Sequence, residues 1–160
     1  PEETKELNVQ IDQYVIDQLP QLPIDAAFYE VKGKPETIMR LGRMGDYDRY
    51  FWGLLASNRF SRLAGHLLNG EAVPNNIQWF NKPARTGKMT PPHQDGFYFM
   101  LEPNEALTMW LALDTADEEN GCMRFIPRSH RQSMRPHQQS NVLGFSQGIS
   151  NFGGADFRLH

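Results

Sequence analysis

From Ile77 onward the apolar residues of this chain tend to fall at every second position, whereas before it they recur every three or four. That change of period constrains the fold most, because a helix and a strand bury different hydrophobic patterns. Over Thr4 to Leu19 the side chains of Leu7, Ile11, Val15 and Leu19 stand four apart, joined by Tyr14. The stripe predicts an amphipathic helix with Thr4 at its cap and Pro20 at its end. Gln21 to Pro35 carries Pro23, Gly33 and Pro35 and reads as loop, with a short strand through Phe28 to Val31. A second helical region covers Tyr47 to Leu68, broken at Ser57-Asn58 and closed by Asn69-Gly70 as a C-terminal cap. Strands are expected at Ile77 to Lys82, Met89 to Phe99 (interrupted by Pro91-Pro92), Ala106 to Asp114 and Cys122 to Ile126. Asp117 to Gly121 is a polar connector whose Asn-Gly ending suits a hairpin. The glycine-dotted stretch after Pro127 reads as a long loop of the kind that forms binding lids. Helices first and antiparallel strands afterwards suggest a β sandwich or jelly roll with flanking helices.

At 160 residues the chain is one domain by length, helical over about residues 1–70 and β over about 71–160. With 39% hydrophobic and 22% charged residues its composition is that of an ordinary globular protein with a real core. A net charge of −3 offers no basic excess for nucleic acid or for an anionic membrane surface. The single cysteine, Cys122, rules out an internal disulfide framework and fits a reducing compartment. No apolar run approaches the roughly 18 residues that cross a bilayer, and the acidic start Pro1 to Glu6 is unlike a secretory signal. The expectation is a cytoplasmic protein whose partner is a small molecule, not nucleic acid or membrane. A first residue other than Met also leads us to expect that some N-terminal sequence is missing.

Within the β half stands His93-Gln94-Asp95. On extended backbone residues i and i+2 share a face, so the His93 imidazole and the Asp95 carboxylate can converge on one metal ion. An imidazole with a carboxylate is the mixture expected at a non-haem Fe(II) site, completed by a second histidine elsewhere. Gln94, between them, points to the opposite face and serves packing or hydrogen bonding around the ligands. Alone, the triplet reads first as a surface or hydrogen-bonded pair, since His-x-Asp is common by chance; its context reverses that reading.

Four blocks supply that context: Pro92-His93-Gln94-Asp95, Trp110-Leu111-Ala112-Leu113-Asp114, Glu119-Asn120-Gly121-Cys122, and Phe125-Ile126-Pro127-Arg128-Ser129-His130. Their order and spacing resemble the phytanoyl-CoA dioxygenase family of Fe(II)- and 2-oxoglutarate-dependent oxygenases. More loosely, the resemblance reaches back to Gln78 and forward to Pro136-His137. It implies a double-stranded β-helix (a cupin-like jelly roll) with the metal near one open end. It implies that His93 and Asp95 are catalytic as the first two iron ligands. It further implies that Trp110 lines the 2-oxoglutarate pocket, that Gln78 lies near that co-substrate, and that His130 belongs to a structural turn. The implied reaction consumes 2-oxoglutarate and O2, releases succinate and CO2, and hydroxylates a small organic substrate, with Phe97 and Phe99 helping to exclude water. Two departures stand out. Arg128 occupies a position where the family turn has glycine, and a left-handed backbone there costs a non-glycine residue about 1–2 kcal/mol, so a rearranged loop is expected. The family's second iron histidine and its 2-oxoglutarate-binding arginine belong to a later segment that Asp156-Phe157-Arg158-Leu159-His160 does not match. His160 is therefore not assigned as a ligand. The chain is expected to be a fragment whose missing strands complete the barrel and the site.

Two rivals compete with a hydroxylase. One is an oxygenase-like fold without catalysis that acts as a binding or regulatory module. The other is a cupin-like metal isomerase, which needs additional His or Glu ligands on neighbouring strands. A halogenase is disfavoured because Asp95 stands where such enzymes carry a small residue. Elsewhere His66 reads as structural and His137 as a loop residue. Arg124 is expected to pair with an acid, Arg128 and Arg131 to be solvated, and Cys122 to be a small buried hydrophobe.

Overall fold

The computed structural model describes residues 2–31, 33–85, 87–142 and 144–157. They fall into two compact units, one up to Gly87 with Met109–Thr115, the other Lys88–Thr108 with the residues from Ala116 onward.

In the first unit α1 (Glu2–Asp17) starts before the expected cap at Thr4, and Pro20 lies in a 3₁₀ turn, Leu19–Gln21, that ends it. Its stripe works as the spacing predicts: Ile11 and Tyr14 are buried, while Val9 and Ile16 on the other side are exposed. The second helical region divides into α2 (Met44–Tyr47), α3 (Arg49–Leu55) and α4 (Asn58–Leu68). Asp48 caps α3, its carboxylate accepting from the N–H groups of Tyr50 at 2.8 Å and Phe51 at 3.2 Å. The expected break is real, with Ser57 extended at the start of α4. Asn69 closes α4 in the left-handed conformation (φ 55°), and its N–H bonds back to the Gly65 carbonyl.

A three-stranded antiparallel sheet crosses this unit in the order β1 (Ala27–Tyr29), β2 (Ile38–Leu41), β3 (Trp79–Phe80). Its register pairs Ala27 with Leu41, Phe28 with Arg40, and Arg40 with Phe80. The Arg40 guanidinium consequently lies over both rings, 5.0 Å from Phe28 and 5.6 Å from Phe80. The central strand β2 escapes the periodicity because Ile38, Met39 and Leu41 are all buried, so it does not alternate. The core consists of Ile11, Tyr14, Ile38, Leu41, Met44 and Phe51, with Leu113 packed at its edge. Tyr14 meets Phe51 edge-on at 5.4 Å.

The second unit departs from expectation. Met89 to Phe99 is not a strand: Asp95–Phe99 is a single helical turn, α5, closed by the Phe97 N–H on the Gln94 carbonyl at 3.0 Å. Pro91 and Pro92 have no N–H to offer a ladder, and that outweighs the strand preference of the aromatic run. Ala106 to Asp114, which is divided between the two units, and Cys122 to Ile126 join no sheet among the described residues. Alternation makes a strand only where a neighbour supplies hydrogen bonds, and Leu107, Leu111 and Phe125 remain exposed. Asp117 to Gly121 does turn, with the Asp117 carboxylate accepting from the N–H groups of Glu119 and Asn120. The stretch read as a long loop instead contains a hairpin, β4 (His137–Val142) with β5 (Phe145–Ile149), turning near Gly144 at φ 80°. Gln138, Gln139 and Asn141 are exposed there, which leaves no apolar face to read. Small antiparallel sheets with helices are thus what the described residues form. Residues 158–160, and His160 with them, lie outside the described residues.

Three substitutions at two positions test these features. The Tyr14 hydroxyl is buried with no hydrogen-bond partner among the described residues, and burial first, then Asp48, pushes its pKa up to about 12. Tyr14→Phe should therefore leave stability unchanged or raise it by up to about 1 kcal/mol, whereas Tyr14→Ala should cost about 3–5 kcal/mol, both read by urea denaturation. Arg128 takes the left-handed conformation, φ 62°, ahead of the 3₁₀ turn Ser129–Arg131. Arg128→Gly should gain about 0.5–1 kcal/mol, the relieved left-handed strain less the added chain entropy; a loss in the same measurement would refute strain at that position.

Candidate metal centre

Pro91-Pro92 shapes the centre. With no N–H to pair, the two prolines present carbonyls: Pro92 accepts from the Ile149 N–H of β5 at 2.8 Å, and Pro91 accepts from Nδ1 of His93 at 2.8 Å. The approach of β5 depends on Gly148, which is buried; a Cβ there would lie 3.2 Å from the Pro91 side chain. Gln94 remains extended (φ −115°, ψ 123°) and Asp95 opens α5. His93 and Asp95 therefore straddle a junction between loop and helix and do not share one strand face. They still converge, with His93 Nε2 3.2 Å from Asp95 Oδ1. The second carboxylate oxygen, Oδ2, accepts from the Thr108 hydroxyl at 2.8 Å. The rings of Phe145 (5.3 Å) and Tyr98 (5.7 Å) flank the imidazole, and the Tyr98 hydroxyl donates to the Gln147 carbonyl of β5 at 2.7 Å.

Electrostatics follow from the Pro91 bond. A carbonyl only accepts, so Nδ1 must carry a hydrogen, and in the neutral ring Nε2 then turns a lone pair toward a carboxylate. Such a pair is satisfied only by a cation between its atoms, either a proton or a metal ion. In the metal-free protein the proton takes the place: the hydrogen bond to Asp95 raises the His93 pKa from its ordinary 6.5 against the opposing effect of burial. The same bond, helped by Thr108, lowers the Asp95 pKa from 3.8.

The residues present fit part of an iron site. Adjacent ligands of an octahedral ion, each about 2.1 Å from it, stand roughly 3 Å apart, close to the observed separation. A metal-ligating histidine typically gives its other N–H to a carbonyl or carboxylate, as His93 does. Among the described residues no group of three or more His, Cys, Asp or Glu side chains gathers to hold a metal. The sequence-derived co-substrate residues lie in the other unit. Gln78, beside β3, has its Oε1 buried with no partner among the described residues, and Trp110 is half exposed. Phe97 stacks on His137 and Phe99 is half-buried. Arg124 pairs with Glu118 at 3.2 Å; His66, His130, Arg128 and Arg131 are exposed, and Cys122 is free and half-buried.

Sequence reasoning missed Thr108, the Pro91 carbonyl, and the hairpin that holds the loop. Only the Pro-Pro dipeptide signalled any of them, by forcing carbonyls to find donors outside a ladder. Gln94 is turned to hydrogen bonding: its Oε1 accepts from the Arg135 N–H at 2.8 Å, and its own N–H donates to His137 Nε2 at 3.2 Å.

A pH dependence follows. With His93 raised, the pair stabilises the metal-free fold fully below pH 6.5, and this is lost as pH climbs through the raised pKa. With Asp95 lowered, the contribution is present above pH 3.8 and lost as pH falls through the lowered pKa. An NMR titration of metal-free protein should show His93 titrating above 6.5, and Asp95→Asn should bring it down. Wild-type titration at or below 6.5 would break the assignment of the pair. Because metal displaces the Nε2 proton, metal affinity should rise with pH through the same transition.

Comparison with known proteins places this chain in a family. The profile of the family described as Phytanoyl-CoA dioxygenase (PhyH) matches residues 1–142. Peroxisomal phytanoyl-CoA dioxygenase of Bos taurus is 33% identical over 88 residues, 50% of this chain and 26% of that protein. Phytanoyl-CoA dioxygenase domain-containing protein 1 of Danio rerio is 39% identical over 104 residues, 63% of this chain and 35% of that protein. Phytanoyl-CoA dioxygenase of Arabidopsis thaliana is 27% identical over 128 residues, 78% of this chain and 45% of that protein. The chain thus spans between about a quarter and a half of the length of these relatives. No solved structure matches it significantly. With the profile covering most of its length, the chain belongs to the phytanoyl-CoA dioxygenase family.

Proposed function

We propose that this protein is an Fe(II)- and 2-oxoglutarate-dependent dioxygenase that hydroxylates a small organic molecule, releasing succinate and CO2. The observation that carries the reading is the His93–Asp95 pair. Nε2 and Oδ1 face each other at 3.2 Å while Nδ1 is committed to the Pro91 carbonyl, so the seat between them calls for a cation. Membership of the family supports the choice of iron and 2-oxoglutarate.

In this reading His93 and Asp95 would hold the iron. Bound iron and 2-oxoglutarate together supply the activation of O2, which no amino-acid side chain performs. The chain's own residues prepare the place. Pro91 fixes the imidazole tautomer, Thr108 turns the Asp95 carboxylate so that Oδ1 faces His93, and Phe145 and Tyr98 screen the ring from water. Gln78 and Trp110 are assigned to the 2-oxoglutarate by the family motif, and the double-stranded β-helix belongs to the same proposal. The relatives' names give phytanoyl-CoA as the substrate of those proteins; for this chain we propose only the class of small organic molecules.

Anaerobic addition of Fe(II) and 2-oxoglutarate to the intact protein should produce a weak visible charge-transfer band, and admitting O2 should yield succinate. Asp95→Ala should abolish both. Intact protein giving neither band nor succinate would remove the reading, and a variant retaining either would remove Asp95 from it.

A further inference from the structure

We propose that His137 is a positioning residue for the metal seat, accepting the backbone N–H of Gln94, the residue between the two ligands. The inference rests on the metal-dependent reading above and concerns how the seat is held. Nδ1 of His137 is 2.8 Å from the Arg135 carbonyl, so it carries a hydrogen and donates it. Nε2 is left with a lone pair, and that lone pair accepts the Gln94 N–H at 3.2 Å. Both ring nitrogens are therefore occupied, which makes His137 a brace and not a ligand. Phe97, in the helical turn that Asp95 opens, stacks on the ring at 4.1 Å with an interplanar angle of 16°.

The peptide of Gln94 joins His93 to Asp95, so its rotation moves both ligands. Gln94 precedes α5, and its N–H lies outside the helical bonding of that turn; His137 satisfies it. The Gln94 side chain is gripped independently, its Oε1 accepting the Arg135 N–H at 2.8 Å. Arg135 is itself anchored. Its guanidinium reaches the Asp156 carboxylate at 2.9 and 3.2 Å, Asn151 Oδ1 at 3.0 Å and the Asn151 carbonyl at 2.6 Å. Arg135 and the Gly153 N–H hold the Asp156 pKa below its ordinary value. The brace thus has a fixed base.

Titration of the intact protein with Co(II), read by its visible absorption, tests the inference alongside thermal melts. His137→Phe keeps a ring to stack on Phe97 but removes the acceptor; it should weaken Co(II) binding about 10–100-fold and change the band shape. His137→Gln puts an amide oxygen near the position of Nε2 and should recover affinity to within about threefold of wild type. A Phe variant that binds like wild type, or a Gln variant as weak as Phe, would overturn the positioning role. A measurement without substitution guards against a misfolded variant: the ¹⁵N imidazole spectrum of wild type should show His137 neutral with Nδ1 protonated, both before and after Zn(II). Metal-induced loss of the Nε2 lone pair would make His137 a ligand and overturn the inference. Wild type binding no Co(II), or Asp95→Ala binding as well as wild type, would sink the metal reading and the brace with it. Failure confined to the His137 results sinks the brace alone.

Discussion

The hydrogen bond from His93 Nδ1 to the Pro91 carbonyl is the interaction on which the centre depends. It is short and local, spanning two residues, yet it decides which imidazole nitrogen faces Asp95. Were Nε2 the protonated nitrogen of a neutral ring, the pair would be an ordinary hydrogen bond with no demand for a cation. With Nδ1 committed, a lone pair and a carboxylate meet at 3.2 Å and something positive must stand between them. Thr108 acts on the other side, occupying Oδ2 so that Oδ1 is the oxygen presented. Two uncharged groups thereby convert a common sequence triplet into a seat for a cation.

The two units are stabilised differently. Every buried large apolar side chain among the described residues lies in the first, from Ile11 to Phe51. The second is organised by hydrogen bonds: Ile149 to Pro92, Gln94 to His137, Arg135 to Gln94, and Arg135 to Asp156 and Asn151. Hydrophobic contacts are tolerant of small displacements, whereas hydrogen bonds weaken steeply with angle. A polar scaffold suits a centre whose ligands must be aimed, although it contributes less net stability per contact than apolar burial does. In the proposed function, metal binding would add to the folding free energy of that unit, because the seat forms only in the folded chain.

The helices were largely legible in the sequence. The stripe through Ile11 and Tyr14, the break at Ser57 and the cap at Asn69 all stand where spacing and capping chemistry put them. The strands were less so. Where both faces are buried, as in β2, or both are wet, as at Gln138, Gln139 and Asn141 of β4, no alternation exists to read. Ala106 to Asp114 shows the converse: its alternation is clear, but with no neighbouring strand among the described residues it forms no ladder. For the candidate centre, the sequence marked His93 and Asp95 through chemistry and spacing. It assumed the wrong backbone, since a loop–helix junction brings the two groups together without a shared strand face. Thr108 and His137, 13 and 42 residues beyond Asp95 by chain number, are tied in by the fold and by no local pattern.

The same carboxylate both attracts a metal and strengthens its competitor. Asp95 raises the affinity of His93 for a proton, so a metal entering the seat must displace a proton held more tightly than by a free imidazole. In the proposed function a divalent ion competes with that proton for the seat. A proton brings one charge to the carboxylate and a metal dication two, so Coulomb attraction at a given distance doubles. The proton is also held at a single hydrogen bond, whereas an ion has further coordination positions to fill. A proton between them keeps the lone pair and the carboxylate from driving each other apart, and the 3.2 Å separation is close to the one an ion would require. Pro91 makes this exchange possible: with Nδ1 already bonded, the leaving proton can come only from Nε2, the atom that faces the site.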